Sequence, residues 1–170
     1  VNVADAARAA GASAMVMIST DKAIEPVSML GLTKRFAEMY CQAMDHDLMT
    51  EAKGKSHMRL ISVRFGNVLA SNGSVVPKFK AQIEAGGPIT VTHPDMVRYF
   101  MTIREACDLV ITAATHAMTP ARPDVSVYVL NMGQPVKIVD LAERMIRLSG
   151  LQPGIDVEIV FSGIRPGERL

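Results

Sequence analysis

Only two cysteines occur in the 170 residues, Cys41 and Cys107, in separate helix-like stretches and without metal-ligand spacing. That excludes a disulfide scaffold and a CxxC metal or redox site, and a reducing, cytoplasmic setting is expected. An excess of charge of one sign is missing too: eighteen Lys plus Arg stand against seventeen Asp plus Glu, a formal net charge of +1. The diffuse basic field that nucleic-acid binding and polybasic membrane attachment depend on is therefore absent, and any anion must be met by a few placed groups. No apolar run approaches the roughly 18 residues of a membrane span, and no charged segment leads into an apolar one at the start as in a signal peptide, so no membrane contact is expected from this segment. Finally, neither GxGxxG nor GxxxxGKS/T occurs, so the chain has no dinucleotide or nucleoside-triphosphate loop of its own.

What is present is a globular composition. With 49% apolar residues the chain can bury a sizeable core, and one domain is the default. It opens Val1-Asn2-Val3 without Met and stops at Arg169-Leu170 inside a polar, Gly-punctuated stretch, so it is expected to be part of something longer.

Periodicity orders the elements. Ala4 to Ala10 is built of strong helix formers and ends at Gly11, and Met15 to Ile18 is a short buried strand. Ser28 to about Lys53 carries apolar residues at helical spacing, Gly54 closes it, and Leu60 to Val63 is a second strand. Strand, long helix and strand make a crossover unit, which favours a parallel sheet. Residues 66–74 form a polar, Gly-rich loop, and Pro77 to Ala85 starts a new helix. Short strands follow at Ile89 to Val91 and Arg98 to Met101, then a helix over Ile103 to Met118 and a connector over Pro120 to Pro123. Val127 to Leu130 is a strand, Lys137 to Leu148 an amphipathic helix ending at Gly150, and Val157 to Phe161 a last strand.

The best site candidate is Ser19-Thr20-Asp21-Lys22, at the C-terminal end of an apolar strand, where open α/β sheets put their ligands. A hydroxyl, a carboxylate and an amine in sequence can supply a hydrogen-bond donor, a proton donor and a base. The same residues also suit a helix N-cap beside a solvated charge pair. His93, lone and beside Pro94, reads as a turn residue, and no metal site is expected.

A longer set of motifs carries a resemblance: Ser19 to Pro26, Gly31-Leu32-Thr33-Lys34-Arg35, Arg64 to Leu69, Thr90 to Pro94 with Arg98 to Thr102, and Gly163 to Leu170. In this order, over essentially the whole chain, they resemble the bacterial polysaccharide-biosynthesis nucleotide-sugar 4,6-dehydratase/epimerase family, which are extended short-chain dehydrogenase/reductases. The resemblance implies the C-terminal part of such a catalytic domain: an α/β fold, a partial Rossmann-type parallel sheet with helices and a small α/β substrate-binding portion, without the N-terminal cofactor-binding strands. Residues 1–65 and 127–150 would form the sheet and helix portions, and 66–126 and 151–170 would mainly bind substrate.

It also implies a reaction on a UDP-N-acetylhexosamine for capsule, O-antigen or glycan biosynthesis, with NAD or NADP held in the full-length parent by a glycine-rich loop that this chain lacks. Hydride would leave C4, water would leave across C5 and C6, and hydride would return to C6. Thr20 would hold the C4 oxygen, Asp21 would protonate the departing C6 hydroxyl and Lys22 would remove the C5 proton. Lys34 resembles the lysine that binds the nicotinamide ribose, and Asn67, Lys78, Arg98 and Arg165 would surround the UDP moiety. The parent would be cytoplasmic and homo-oligomeric, attached to the inner membrane by an upstream segment. One position departs from the pattern: Leu30 stands where the superfamily normally carries its tyrosine base, while some large members have methionine there. Leu30 and the missing glycine loop leave open a non-catalytic nucleotide-sugar-binding or assembly module descended from such an enzyme.

Overall fold

The computed structural model describes residues 1–53, 57–69, 71, 73–119 and 126–170, and within them the chain divides into two compact units. The expected stop at Gly54, the connector at 120–123, and Ala70 and Asn72 of the polar loop lie outside the described residues.

The first unit comprises residues 1–65 and 104–131. Helix α1 (Asn2–Ala9) ends before Gly11, whose φ of 70° takes the left-handed conformation that costs glycine little. Strand β1 (Ala14–Ile18) follows, then a single 3-10 turn (Asp21–Ala23) and the long helix α2 (Met29–Ala52). Ser28 caps α2 by accepting a hydrogen bond from the Gly31 amide at 3.1 Å. Strand β2 (Arg59–Arg64) returns parallel to β1, with Val16 opposite Ile61. After α4 (Ile103–Ala117), strand β6 (Val127–Val129) joins β2, again parallel, to give the order β1-β2-β6.

The core of this unit gathers Ala4 of α1, Cys41 and Met44 of α2, and Met58 and Leu60 at β2. Deeper support is polar: Asp45 of α2 accepts from Arg59 Nε at 3.1 Å and from the Leu60 amide at 2.8 Å, and Arg59 also reaches the Ala117 carbonyl. On α2, Met29, Leu32, Phe36 and Met39 recur at three- and four-residue steps and are all exposed.

The second unit comprises residues 66–103 and 132–170. Its elements are β3 (Asn67–Val68), α3 (Val75–Glu84), β4 (Ile89–Val91), β5 (Val97–Met101), β7 (Pro135–Lys137), α5 (Ile138–Leu148) and β8 (Ile159–Phe161). β3 and β5 are parallel, β5 and β7 antiparallel, and β4 and β8 parallel. The core joins Phe79 and Ile83 of α3, Ile89 and Val91 of β4, Ile138, Ala142 and Ile146 of α5, and Met96 and Val157.

The α/β class, the parallel crossover and every predicted helix are present. The partition differs at two places. Helix α5, expected with the sheet portion in 127–150, buries its 138/142/146 face in the second unit's core, and all but the first residue of α4 belongs to the first unit. The chain also makes a strand at 135–137, before α5, where only a helix start was read; three residues next to a helix give no alternation to detect.

Ile146 is fully buried in this core. Ile146→Ala should destabilise the second unit by about 2–5 kcal/mol, read as a lower urea midpoint at unchanged m-value.

Candidate functional site

Strand β1 runs out at Ile18, and the next four residues turn back into the 3-10 turn. The Ser19 amide donates to the Val63 carbonyl at 2.8 Å and the Asp21 amide to that of Phe65 at 3.1 Å, so the turn is tied to the end of β2. Within it, Asp21 Oδ1 accepts from the Thr20 hydroxyl at 2.8 Å and from Lys22 Nζ at 3.1 Å. Thr20 also caps the turn, accepting from the Lys22 amide at 3.4 Å. Hydroxyl, carboxylate and ammonium therefore meet at one oxygen, half-buried at the C-terminal end of a parallel strand.

Helix α2 closes on this turn from one side. A β-carbon at Gly31 would overlap the Lys22 carbonyl oxygen, so only glycine lets the helix approach so near. One turn on, Lys34 Nζ donates to the Ile18 carbonyl at 3.0 Å, which uses one of three ammonium protons and leaves two to meet a ribose diol. Lys34 thus fits the nicotinamide-ribose end of a dinucleotide. Leu30 is half exposed, and its side chain has no proton to give or take.

Glu38, one further turn along the same helix face, is fully buried. Its carboxylate takes a fork from Arg64 (Nε to Oε1 2.8 Å, Nη2 to Oε2 2.6 Å), a bond from Arg35 at 3.2 Å and the Ser19 hydroxyl at 2.5 Å. Burial alone would push the Glu38 carboxyl up, but the bonds from Arg64, Ser19 and Arg35 outweigh it and hold the group below its ordinary value. The same fork pushes Arg64 still higher. Glu38 was not singled out from the sequence, and Ser19 and Arg64, though they stand in the site string and in one of the motifs, were given no role in holding it. The available signal was spacing: Glu38 lies four residues past Lys34 and seven past Gly31, and Arg64 ends an apolar strand.

The second unit holds a separate cavity of about 290 Å³ whose lining includes Asn67, Lys78, Arg98 and Arg165. The four residues expected around UDP thus surround one space. Lys78 and Arg165 are exposed; Arg98 is not, and donates to the Val97 carbonyl and, at 3.3 Å, to Glu168 Oε1. Glu168 was missed in the sequence, although it lies in the Gly163 to Leu170 motif. Its Oε2 and the Ser74 hydroxyl oxygen are buried at this cavity with no hydrogen-bond partner among the described residues, so both can take a donor from a ligand. Among the described residues no group of three His, Cys, Asp or Glu is placed to hold a metal ion.

The family model of the polysaccharide biosynthesis proteins matches residues 1–170, and the chain belongs to that family. It is 54% identical over 169 residues to the capsular polysaccharide biosynthesis protein CapD of Staphylococcus aureus, covering 99% of this chain and 26% of the relative. It is 52% identical over 170 residues to the probable polysaccharide biosynthesis protein EpsC of Bacillus subtilis, again covering 99% and 26%. Among solved structures, Pen from Bacillus thuringiensis is 34% identical, with a TM-score of 0.82 over 99% of this chain and 49% of that one. The chain thus spans about a quarter of the length of these curated relatives. Solved nucleotide-sugar epimerases and dehydratases at 17–18% identity, including dTDP-glucose 4,6-dehydratases with NAD bound, share the Rossmann-type fold.

Glu38 sets a measurable acid limit. Its folded-state pKa is depressed, so its contribution to stability is full above the unfolded value and is lost as pH falls through the folded one. Glu38→Gln, which leaves Arg64 without its counter-charge, should cost about 3–5 kcal/mol at pH 7. The gap to the unsubstituted protein should narrow as pH falls below the ordinary carboxylate value of 4.5, measured by urea unfolding at several pH values.

Proposed function

We propose that the chain is the C-terminal part of the catalytic domain of a UDP-N-acetylhexosamine 4,6-dehydratase serving capsule or related glycan synthesis. The observation that carries this reading is the meeting of Thr20 Oγ1 and Lys22 Nζ on Asp21 Oδ1 at the end of β1. Because the chain spans only about a quarter of the CapD and EpsC relatives, the activity is assigned to the whole protein that carries it.

The reaction needs an acid at C6 and a base at C5, and a carboxylate paired with an ammonium already holds the required proton. Passing that proton along the hydrogen bond from Lys22 Nζ to Asp21 Oδ1, whose heavy atoms are 3.1 Å apart, gives a neutral acid and a neutral amine without any exchange with solvent. Lys22 then takes the C5 proton, made acidic by the C4 ketone, and Asp21 protonates the C6 oxygen as it leaves as water. The ion pair is restored by that step. Lys22 can next return its proton to C5, and it regains one from solvent to close the cycle. Thr20 would turn its one hydroxyl proton from Asp21 Oδ1 to the C4 oxygen. Bound NAD or NADP supplies the acceptor for hydride from C4 and its return to C6. Lys34 would hold its ribose, while the diphosphate needs a glycine-rich loop that this chain does not carry. With Leu30 offering no base, Asp21 or water would accept the C4 hydroxyl proton. The cations Lys78, Arg98 and Arg165, with Asn67, would hold the UDP moiety in the second unit's cavity.

In the whole protein, Asp21→Asn and Lys22→Ala should each lower turnover by about 10²-fold or more with sugar-nucleotide affinity largely kept. Single-turnover formation of the 4-keto product measures this, and solvent deuterium at C5 reports on Lys22 alone. A wild-type protein that binds UDP-sugar but forms no product would support the non-catalytic binding module that Leu30 in place of tyrosine favours.

Homo-oligomerisation belongs to the same proposal, through the exposed stripe of Met29, Leu32, Phe36 and Met39 on α2. Leu32→Glu with Phe36→Glu should shift the protein to lower mass in sedimentation equilibrium; an unchanged mass would remove this stripe as the interface.

A further inference from the structure

Between β1 and the acid/base turn stands Ser19, only 4% exposed, and its hydroxyl is bonded to a carboxylate that is itself fully buried. The neighbouring main chain is tied to β2 through the Ser19 and Asp21 amides, and toward α2 by the close approach of Gly31 to the Lys22 carbonyl and by the Lys34 bond to Ile18. Ser19 Oγ adds a directional bond from the start of the turn to a buried carboxylate of α2. Its acceptor, Glu38, cannot drift, because Arg64 holds both of its oxygens in a fork. Glu38 also sits one helical turn beyond Lys34, so a single carboxylate ties the turn bearing Thr20, Asp21 and Lys22 to the helix bearing Lys34.

A buried ion cluster is poor evidence of added stability, since apolar residues of similar volume often serve as well. What apolar residues cannot do is accept a hydroxyl proton from one direction. We infer that Ser19 is a positioning residue, which Glu38 and Arg64 anchor so that Thr20, Asp21 and Lys22 stay in reacting geometry relative to Lys34. This rests on the proposed dehydratase reading for its effect on rate, but not for its effect on the turn itself.

Ser19→Ala removes one hydroxyl and leaves the Arg64 fork on Glu38 in place. In the whole protein it should lower kcat by about 10-fold or more at nearly unchanged KM for the sugar nucleotide, since misplacement on the ångström scale costs rate before binding. Amide hydrogen exchange in residues 19–24 should quicken by about 10-fold, with residues 38–48 and 59–64 unchanged. Arg35→Met is the control: it weakens the same cluster from its exposed side without touching Ser19, so it should lower the melting temperature while leaving kcat and exchange in 19–24 as they were. Unchanged exchange in 19–24 of Ser19→Ala overturns the inference, and so does unchanged kcat in an active protein, or an equal loss of kcat in both variants. If the unsubstituted protein forms no 4-keto product, the dehydratase reading fails, and the exchange measurement still decides whether Ser19 holds the turn.

Discussion

The carboxylate of Glu38 has to exist somewhere water does not reach, and the first unit is arranged around that requirement. An unpaired charge there would cost several kcal/mol, so each of its oxygens is met by hydrogen-bond donors. The donors come from three places in the chain: Ser19 at the end of β1, Arg35 on α2 itself and Arg64 at the end of β2. One helix and two neighbouring strand ends are thereby fixed against one another at the point where a parallel sheet presents its functional edge. The Gly31 contact with the Lys22 carbonyl and the Lys34 bond to Ile18 follow from that closeness.

Much of this was legible before any coordinates. Helices such as α2 and α5 run long enough for their apolar period to be counted, and the Thr20-Asp21-Lys22 string follows an apolar strand, which is where open sheets place chemistry. Asn67, Arg98 and Arg165 came from motif resemblance and Lys78 was added to them as a further cation, and the four line one cavity although they span almost a hundred positions. Glu38 and Glu168 were not legible because a glutamate on a helix or in a loop is ordinarily solvated, and only tertiary contact reveals that one is buried and the other faces an arginine. The assignment of α5 failed for a related reason. Its apolar face is plain in the sequence, but a face does not say which core it meets.

The two units use charge differently. In the first, the proposed acid and base are consecutive residues, and the nearby guanidinium groups of Arg35 and Arg64 are committed to Glu38. In the second, Arg98 is shared between Glu168 and a main-chain carbonyl, while Lys78 and Arg165 extend into solvent beside the cavity. Under the proposed reading, proton transfer and anion binding fall in separate stretches of the sequence, and a substitution in one stretch would act on one task.

The Asp21 and Lys22 pair has a net charge of zero whichever of the two carries the proton. Over a distance much greater than its 3.1 Å length it looks like a weak dipole, and dissolved ions hardly screen or compete with it. Ionic strength should therefore be felt at the surface cations of the second unit, where phosphate oxygens would trade places with counterions, and scarcely at the elimination step. If the proposed reading holds, changing salt would be met as a change in how much substrate is held, at a nearly constant rate of conversion once the substrate is held.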